Sequence, residues 1–228
     1  MVGAPNSYSA IKMELLIKFW DWTSADMIDS IIVVLKVLVV CSFTTIAWAL
    51  IIVLMRISKL FILRWFAISY IEFFRGTPLI VQILIIFNYL PHFGIMLSSF
   101  QAAVLSLTLN AGGYLAESYR SGFQAVPLGQ KEAALALGMS KIRSIIRVDI
   151  PIAFRIVLPA IGNIIVGILL TTPFIYLVGM EDLMMRANDL MRRTMDWSVY
   201  GYITCIYIII GLMLTGFNYL MEKKTQLP

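Results

Sequence analysis

Two groups of polar residues stand out in an otherwise apolar chain. Ser106, Asn110, Gly113 and Glu117 recur at spacings of four, three and four, with Tyr114 beside them. On a helix these positions share one face, while Val104, Leu107, Leu109 and Leu115 fall largely elsewhere. A polar stripe in a membrane helix is costly unless it meets water or polar partners. It therefore points either to a path for a polar solute or to polar packing between helices. Gly112-Gly113 favours close helix approach, and Glu117 can pair with Arg120. The second group is Glu132-Ala133-Ala134 with Gly138. If the segment does more than connect spans, its chemistry is recognition rather than reaction, because two alanines leave a low surface that another protein can approach closely. No paired nucleophile and base appears, nor an H-E-x-x-H, a repeated filter sequence or a phosphate-binding loop. The chain is not expected to be an enzyme.

The elements that must position these residues follow from composition. Hydrophobic residues make up 60% of the 228, charged residues 14%, and the mean hydropathy is +0.87. That is too apolar for an ordinary soluble domain. A helix crosses a bilayer with roughly 20 apolar residues, and segments 31–55, 76–90, 100–115, 156–178 and 199–220 meet or approach that. The expectation is an all-α, polytopic membrane protein with about five spans, a single domain over 1–228. Residues 1–16 lack a basic stretch, compact apolar core and small-residue cleavage site, so no removable signal peptide is expected. Cys41 and Cys205 both fall in predicted spans; packing, not a disulfide or metal site, is their expected role.

Charge placement orients the spans. With segment 118–149 in the cytoplasm, Arg56, Lys59, Arg64, Arg75, Arg120, Lys131, Lys141, Arg143, Arg147, Lys223 and Lys224 all face it. The outer segments keep Lys12, Lys18, Arg186, Arg192 and Arg193 among many carboxylates. This is the positive-inside bias. It puts an N-terminal segment, 1–30, outside and the C-terminus inside. The net charge of +5 is explained by topology, and the scattered basic residues carry no nucleic-acid motif.

Local signals refine three regions. Before the second span, Glu72 and Arg75 can meet on one helical face, and Gly76-Thr77-Pro78 predicts a break with Thr77 capping and Pro78 opening a fresh helix. Loosened backbone of this kind lines cavities in transporters; a plain membrane-entry turn is the other reading. Segment 179–197 has Met180, Leu183, Met184, Ala187 and Met191 at helical spacing, with Asp182–Arg186 and Asp189–Arg193 as favourable pairs. It predicts an amphipathic helix at the outer interface, sealing the bundle or meeting an outer partner. In 118–149, Pro127 can open a helix that Gly138 ends in a left-handed cap, and Ser140 can cap a second. There Ile142, Ile145 and Ile146 share one face.

Glu132-Ala133-Ala134, Gly138 and then Ile156-Val157-Leu158-Pro159 resemble the EAA coupling loop of bacterial ABC-importer permeases. Phe74-Arg75-Gly76-Thr77-Pro78-Leu79-Ile80-Val81-Gln82, Leu107-Thr108-Leu109-Asn110, Tyr114-Leu115-Ala116-Glu117 and Val126-Pro127-Leu128-Gly129-Gln130 are similar to signature stretches of the polar amino acid subfamily, the histidine, glutamine and arginine systems. The likeness runs from about Leu35 to Leu220. It implies a multi-pass permease of the bacterial inner membrane and half of a transport path. The implied partners are a second permease, identical or related, two ATPase subunits and an extracytoplasmic solute-binding protein. Glu132, Ala133, Ala134 and Gly138 would belong to the helix that docks in the ATPase. ATP and Mg2+ would be held there, and no cofactor by this chain.

The chain departs from the family where a basic or polar residue usually precedes Thr-Ser-Leu. Here it reads Leu169-Leu170-Thr171-Thr172-Pro173-Phe174. The proline is expected to disfavour helix at Thr172 and break the outer end of the span. Ser106, Asn110, Gly113, Glu117, Thr171 and Thr172 are thus the candidates for the translocation path. The departure makes an opine, ectoine or another amino acid derivative as credible a solute as a standard amino acid. A permease for a different small solute, such as a metal or anion, and a channel or membrane enzyme are the alternatives; His92 alone supplies an imidazole, so a metal site is not expected.

Overall fold

The computed structural model describes residues 25–225, all of them helix or short connection. The expected outer N-terminal segment therefore lies largely outside the described residues. In chain order the helices are α1 (Ala25–Arg56), α2 (Phe61–Gly76), α3 (Leu79–Tyr89), α4 (Ser99–Gln124), α5 (Leu128–Ala136), α6 (Lys141–Ser144), α7 (Ile150–Thr171), α8 (Leu183–Thr194) and α9 (Ser198–Thr225). A 3-10 turn, Leu90–Phe93, follows α3, and another, Thr172–Val178, follows α7.

Three of these segments are long and apolar enough to cross a membrane: Met27–Arg56, Lys141–Val178 and Ser198–Lys223. The pair Phe61–Gly76 and Leu79–Phe93 makes a fourth if its 109° bend is counted as one broken span. The fifth expected span is α4. Its 26 residues reach roughly 39 Å, but Ser106, Thr108, Asn110 and Glu117 keep its hydropathy low. Position compensates for polarity, because α4 is the hub of the bundle. It packs most extensively against α1 and also against α7, α2 and α3. Its start is fixed by a reciprocal capping box between Ser98 and Gln101.

Apolar side chains form two layers. The one at the end expected to lie outside joins Val34, Val37 and Cys41 of α1, Ile83 of α3, Leu107 of α4, Ile168 and Leu169 of α7, and Leu183 and Ala187 of α8. The other joins Ile52 and Val53 with Tyr70, Ile71, Leu115, Tyr119, Val157 and Ile161. Cys41 is buried as its position in a span predicts, whereas Cys205 is exposed on α9.

Two boundaries differ from the sequence-based expectation. The helix of the third span does not stop near Leu115 but runs to Gln124, supported by Glu117, Arg120 and Gln124 bonding along one face. The fourth span does not start at Ile156. Helix is continuous from Lys141 to Val178, 38 residues, through a π turn at Ile145–Asp149. The Ile150 N–H reaches back to Ile145 O, and the widened turn accommodates Pro151, whose ring would crowd the carbonyl four residues earlier in α geometry. The non-helical part of the predicted loop is correspondingly short.

Candidate functional site

The α2–α3 break is built around amides. Pro78, not Thr77, stands at the N-cap position of α3, without a side-chain cap. Thr77 instead donates its hydroxyl to Phe73 O at 2.7 Å and accepts from Gln82 Nε2 at 2.7 Å. Gln82 Nε2 also donates to Phe74 O and Thr77 O, at 3.1 and 3.0 Å. From α4, Asn110 Nδ2 donates to Phe74 O and to Gln82 Oε1, both at 3.0 Å. Of the carbonyls that the break frees from helical bonding, Phe73 O, Phe74 O and Thr77 O are thus satisfied by the side chains of Thr77, Gln82 and Asn110. Gln82, a lone amide in the apolar run of α3, is 4% exposed and was missed as a site residue. Its one polar group among Ile and Leu was the available signal.

The polar stripe therefore divides. Ser106 is fully buried and returns its hydroxyl to Ala102 O on its own helix. Asn110 and Gly113 face the break, Gly113 against Phe74, Arg75 and Ile71. Nearby, Trp48 Nε1 donates to the Tyr70 hydroxyl at 2.8 Å, which donates to Leu109 O. Glu117 receives Arg120 Nε through both carboxylate oxygens at 2.9 and 3.0 Å, the pairing read from the sequence. Arg75 lies over the Tyr114 ring, 5.4 Å from its centroid, rather than pairing with Glu72.

Arg75, Tyr114, Glu117 and Ser121 line an open cleft of about 440 Å3, closed on the far side by Val157, Ala160 and Ile164 of α7. It presents one cationic and one anionic side chain beside apolar walls. Of the stripe, only Glu117 borders this space.

Pro173 does not break the outer end of the fourth span. Thr172 keeps helical torsions (φ −57°, ψ −31°), and the chain tightens from α to 3-10. The proline is tolerated because its fixed φ suits a helix and Leu169 O, the acceptor its missing N–H would have reached, takes the Thr172 hydroxyl instead. Thr172 is fully buried, its hydroxyl donating to Leu169 O at 2.7 Å and lying 3.3 Å from the Tyr207 hydroxyl. Thr171 bonds back to Gly167 O and Ile168 O.

The Glu132–Gly138 region folds as two short helices. Pro127 precedes α5, and Gly138 takes φ +77°, the left-handed torsion predicted for it. Its N–H donates to Leu135 O, and Met139 N–H to Ala134 O. Ser140 Oγ accepts from Arg143 N to cap α6. Glu132 and Ala133 are exposed, but Ala134 is buried at 3% and packs inward. Leu128, Leu137, Ile142 and Ile146 are exposed beside Lys131, Lys141 and Arg143. Apolar and basic side chains are thus exposed together on these two helices.

At the other end of α7, α8 is an amphipathic helix that buries Leu183 and Ala187 against residues of α1 and α7. Asp182 caps it, Oδ1 accepting from Met185 N at 2.9 Å. Its Oδ2 is buried with no hydrogen-bond partner, so the expected bond to Arg186 does not form. Desolvation pushes the carboxyl pKa up to about 6 against the downward pull of the backbone donors.

Residues 49–227 match the family described as binding-protein-dependent transport system inner membrane component. The chain belongs to the ABC transporter permeases, in the polar amino acid subfamily. The permease is 35% identical over 178 residues to an L-cystine transport system permease of Bacillus subtilis, covering 77% of the chain and 76% of the relative. It is 32% identical over 202 residues to an arginine permease of the same organism, covering 88% and 92%. A putative glutamine permease of Rickettsia felis is 32% identical over 213 residues, covering 92% and 97%. The crystal structure of an amino acid ABC transporter with histidines superposes with a TM-score of 0.83 at 32% identity, over 97% of this chain and all of that one. An inward-facing methionine transporter, at 15% identity and a TM-score of 0.75 over 88% of this chain and 96% of that one, shares the fold. The permease is a multi-pass inner membrane protein, a transport component of a binding-protein-dependent system and not a catalyst.

Proposed function

We propose that the permease forms half of the membrane path of an importer for a polar amino acid. It pairs with a second permease, a copy or a homologue, and draws its energy from two ATPase subunits that hold ATP and Mg2+. The observation that carries this is the likeness, over nearly the whole chain, to a solved amino acid ABC transporter. The glutamine, arginine and cystine systems among its relatives support an amino acid as solute. Nothing favours an opine or ectoine, and the buried Thr172 removes the local reason for an unusual solute.

The α5–α6 surface is the ATPase handle. Glu132 and Ala133 meet the partner, while Ala134 and Gly138 set the shape of the turn. Of the path candidates, Glu117 borders the polar cleft, and Arg75 joins it there as the cationic counterpart for a solute carboxylate. Ser106, Asn110 and Gly113 position the α2–α3 break, and Thr171 and Thr172 hold the outer end of α7. The basic α5–α6 end lies in the cytoplasm and α8 outside.

Co-expression with the cognate ATPase tests this reading. Wild type should co-purify with it and drive ATP-dependent uptake of a labelled polar amino acid in proteoliposomes, and Glu132→Arg should abolish uptake without preventing membrane insertion. Uptake that survives Glu132→Arg with the ATPase still attached refutes the docking assignment.

A further inference from the structure

Between the outer ends of α1 and α8 lies a cavity of about 210 Å3, lined by Asp29, Glu181, Asp182, Arg186 and Asp189. Four carboxylates face it against one guanidinium. An acidic rim is common at a protein surface and by itself assigns nothing. Asp182 is what distinguishes this one. The side chain has no accessible surface, one oxygen caps α8, and the other lies buried without a partner. A buried carboxylate oxygen left unpaired is unfavourable for the chain alone and calls for a positive group.

Size and chemistry narrow that group. The volume accepts an ammonium or guanidinium head with the end of its stem, not a folded element. Among the described residues, no three acidic, histidine or cysteine side chains converge as metal ligands do, which favours an organic cation. Placement narrows it further. The apolar half of α8 is spent on the outer core, leaving its charged half toward the cavity. The family's transport systems depend on a binding protein, which must dock on the outer face.

We propose that this cavity receives a lysine or arginine side chain of the solute-binding protein, a step that rests on the importer reading and its placement of α8 outside. The basic side chain enters past Asp29 and Asp189 and brings its charge toward Asp182. Docking so anchored is electrostatic, and it seats the binding protein against α1 and the turn that closes α7.

The test uses the assembled transporter in lipid nanodiscs, titrated with solute-loaded binding protein. The double variant Asp29→Asn, Asp189→Asn should weaken binding about tenfold at about 50 mM salt. Asp189→Glu, which keeps the charge, should retain wild-type affinity, and wild-type binding should weaken markedly at about 300 mM salt. Equal affinity of wild type and double variant overturns the proposal, as does wild-type binding insensitive to salt. Stabilisation of wild type by calcium chloride that the double variant loses, with docking unchanged, also overturns it in favour of an inorganic cation. A wild-type complex whose ATPase no binding protein stimulates overturns the importer reading and this one with it.

Discussion

Replacing Asp182 by Asn isolates the cost of one buried charge. Burial raises the Asp182 pKa from 3.8 to about 6, so the folded chain resists ionising it. The stability linked to this group is fully present below the unfolded pKa and is lost as pH rises through about 6. A shift of about two units corresponds to about 3 kcal/mol by pH 7.5. Asn caps a helix about as well as Asp and keeps an oxygen for Met185 N, but it carries no charge. Asp182→Asn should therefore be more stable than wild type at pH 7.5 by up to about 3 kcal/mol, roughly 6–12 °C in melting temperature. Near pH 4.5 the gap should narrow to about 1 kcal/mol. Asp182→Ala, which also loses the cap, should recover about 1 kcal/mol less. Cys41 supplies the assay: its thiol is fully buried, so in a Cys205→Ser background a thiol-reactive dye reports unfolding of the isolated permease in detergent. Parallel melting curves for wild type and Asp182→Asn between pH 5 and pH 8 would refute the reasoning, and so would a less stable Asn variant at pH 7.5.

Three other substitutions probe separate parts of the bundle. Gln82→Leu strands Thr77 O and part of the Asn110 amide and leaves Phe74 O with Asn110 alone; it should cost about 2 kcal/mol, read as a lower melting temperature, and slow uptake in proteoliposomes. Gly122→Val drives a side chain into Val157, because even a Cβ there would lie 2.1 Å from Val157 Cγ2; a loss of about 2 kcal/mol is expected, while Gly129→Val, in open space, should leave the melting temperature unchanged. Gly138→Ala places a Cβ at φ +77° and should cost about 1 kcal/mol, whereas Gly138→Trp, with no atom of its own chain within 4 Å of the new Cβ, should abolish co-purification with the ATPase.

What could be read from the sequence was local. Gly76-Thr77-Pro78 announces a break because proline and its predecessor leave helical geometry, and Gly138 announces a left-handed turn because only glycine adopts it without strain. The identity of the groups that satisfy the break could not be read so. Asn110 sits 36 residues from the carbonyl it bonds, and Gln82 reaches back across the bend. Periodicity placed Ser106, Asn110, Gly113 and Glu117 on one face correctly but could not say what that face meets. Ser106 meets its own backbone, Asn110 the break, and Glu117 an open cleft. Pro173 misled. It reads as a stop, yet the helix only tightens to 3-10 there, much as it widens to π just before Pro151. Asp182 looked like half of an exposed ion pair, since spacing to Arg186 says nothing about burial.

The unbroken helix from Lys141 to Val178 has a mechanical consequence. At roughly 57 Å, it outreaches the roughly 30 Å hydrocarbon core of a bilayer. One end carries α6, and the other stops four residues short of Asp182. On the proposed assignments, the ATPase grips one tip of a single rod and the solute-binding protein sits at the other. Force applied at either tip arrives as displacement of a stiff body, with no relay of side chains in between. The π turn at Ile145–Asp149 and Pro159 inside α7 are then its compliant points, and the slack there sets how much of the ATPase stroke reaches the outer mouth.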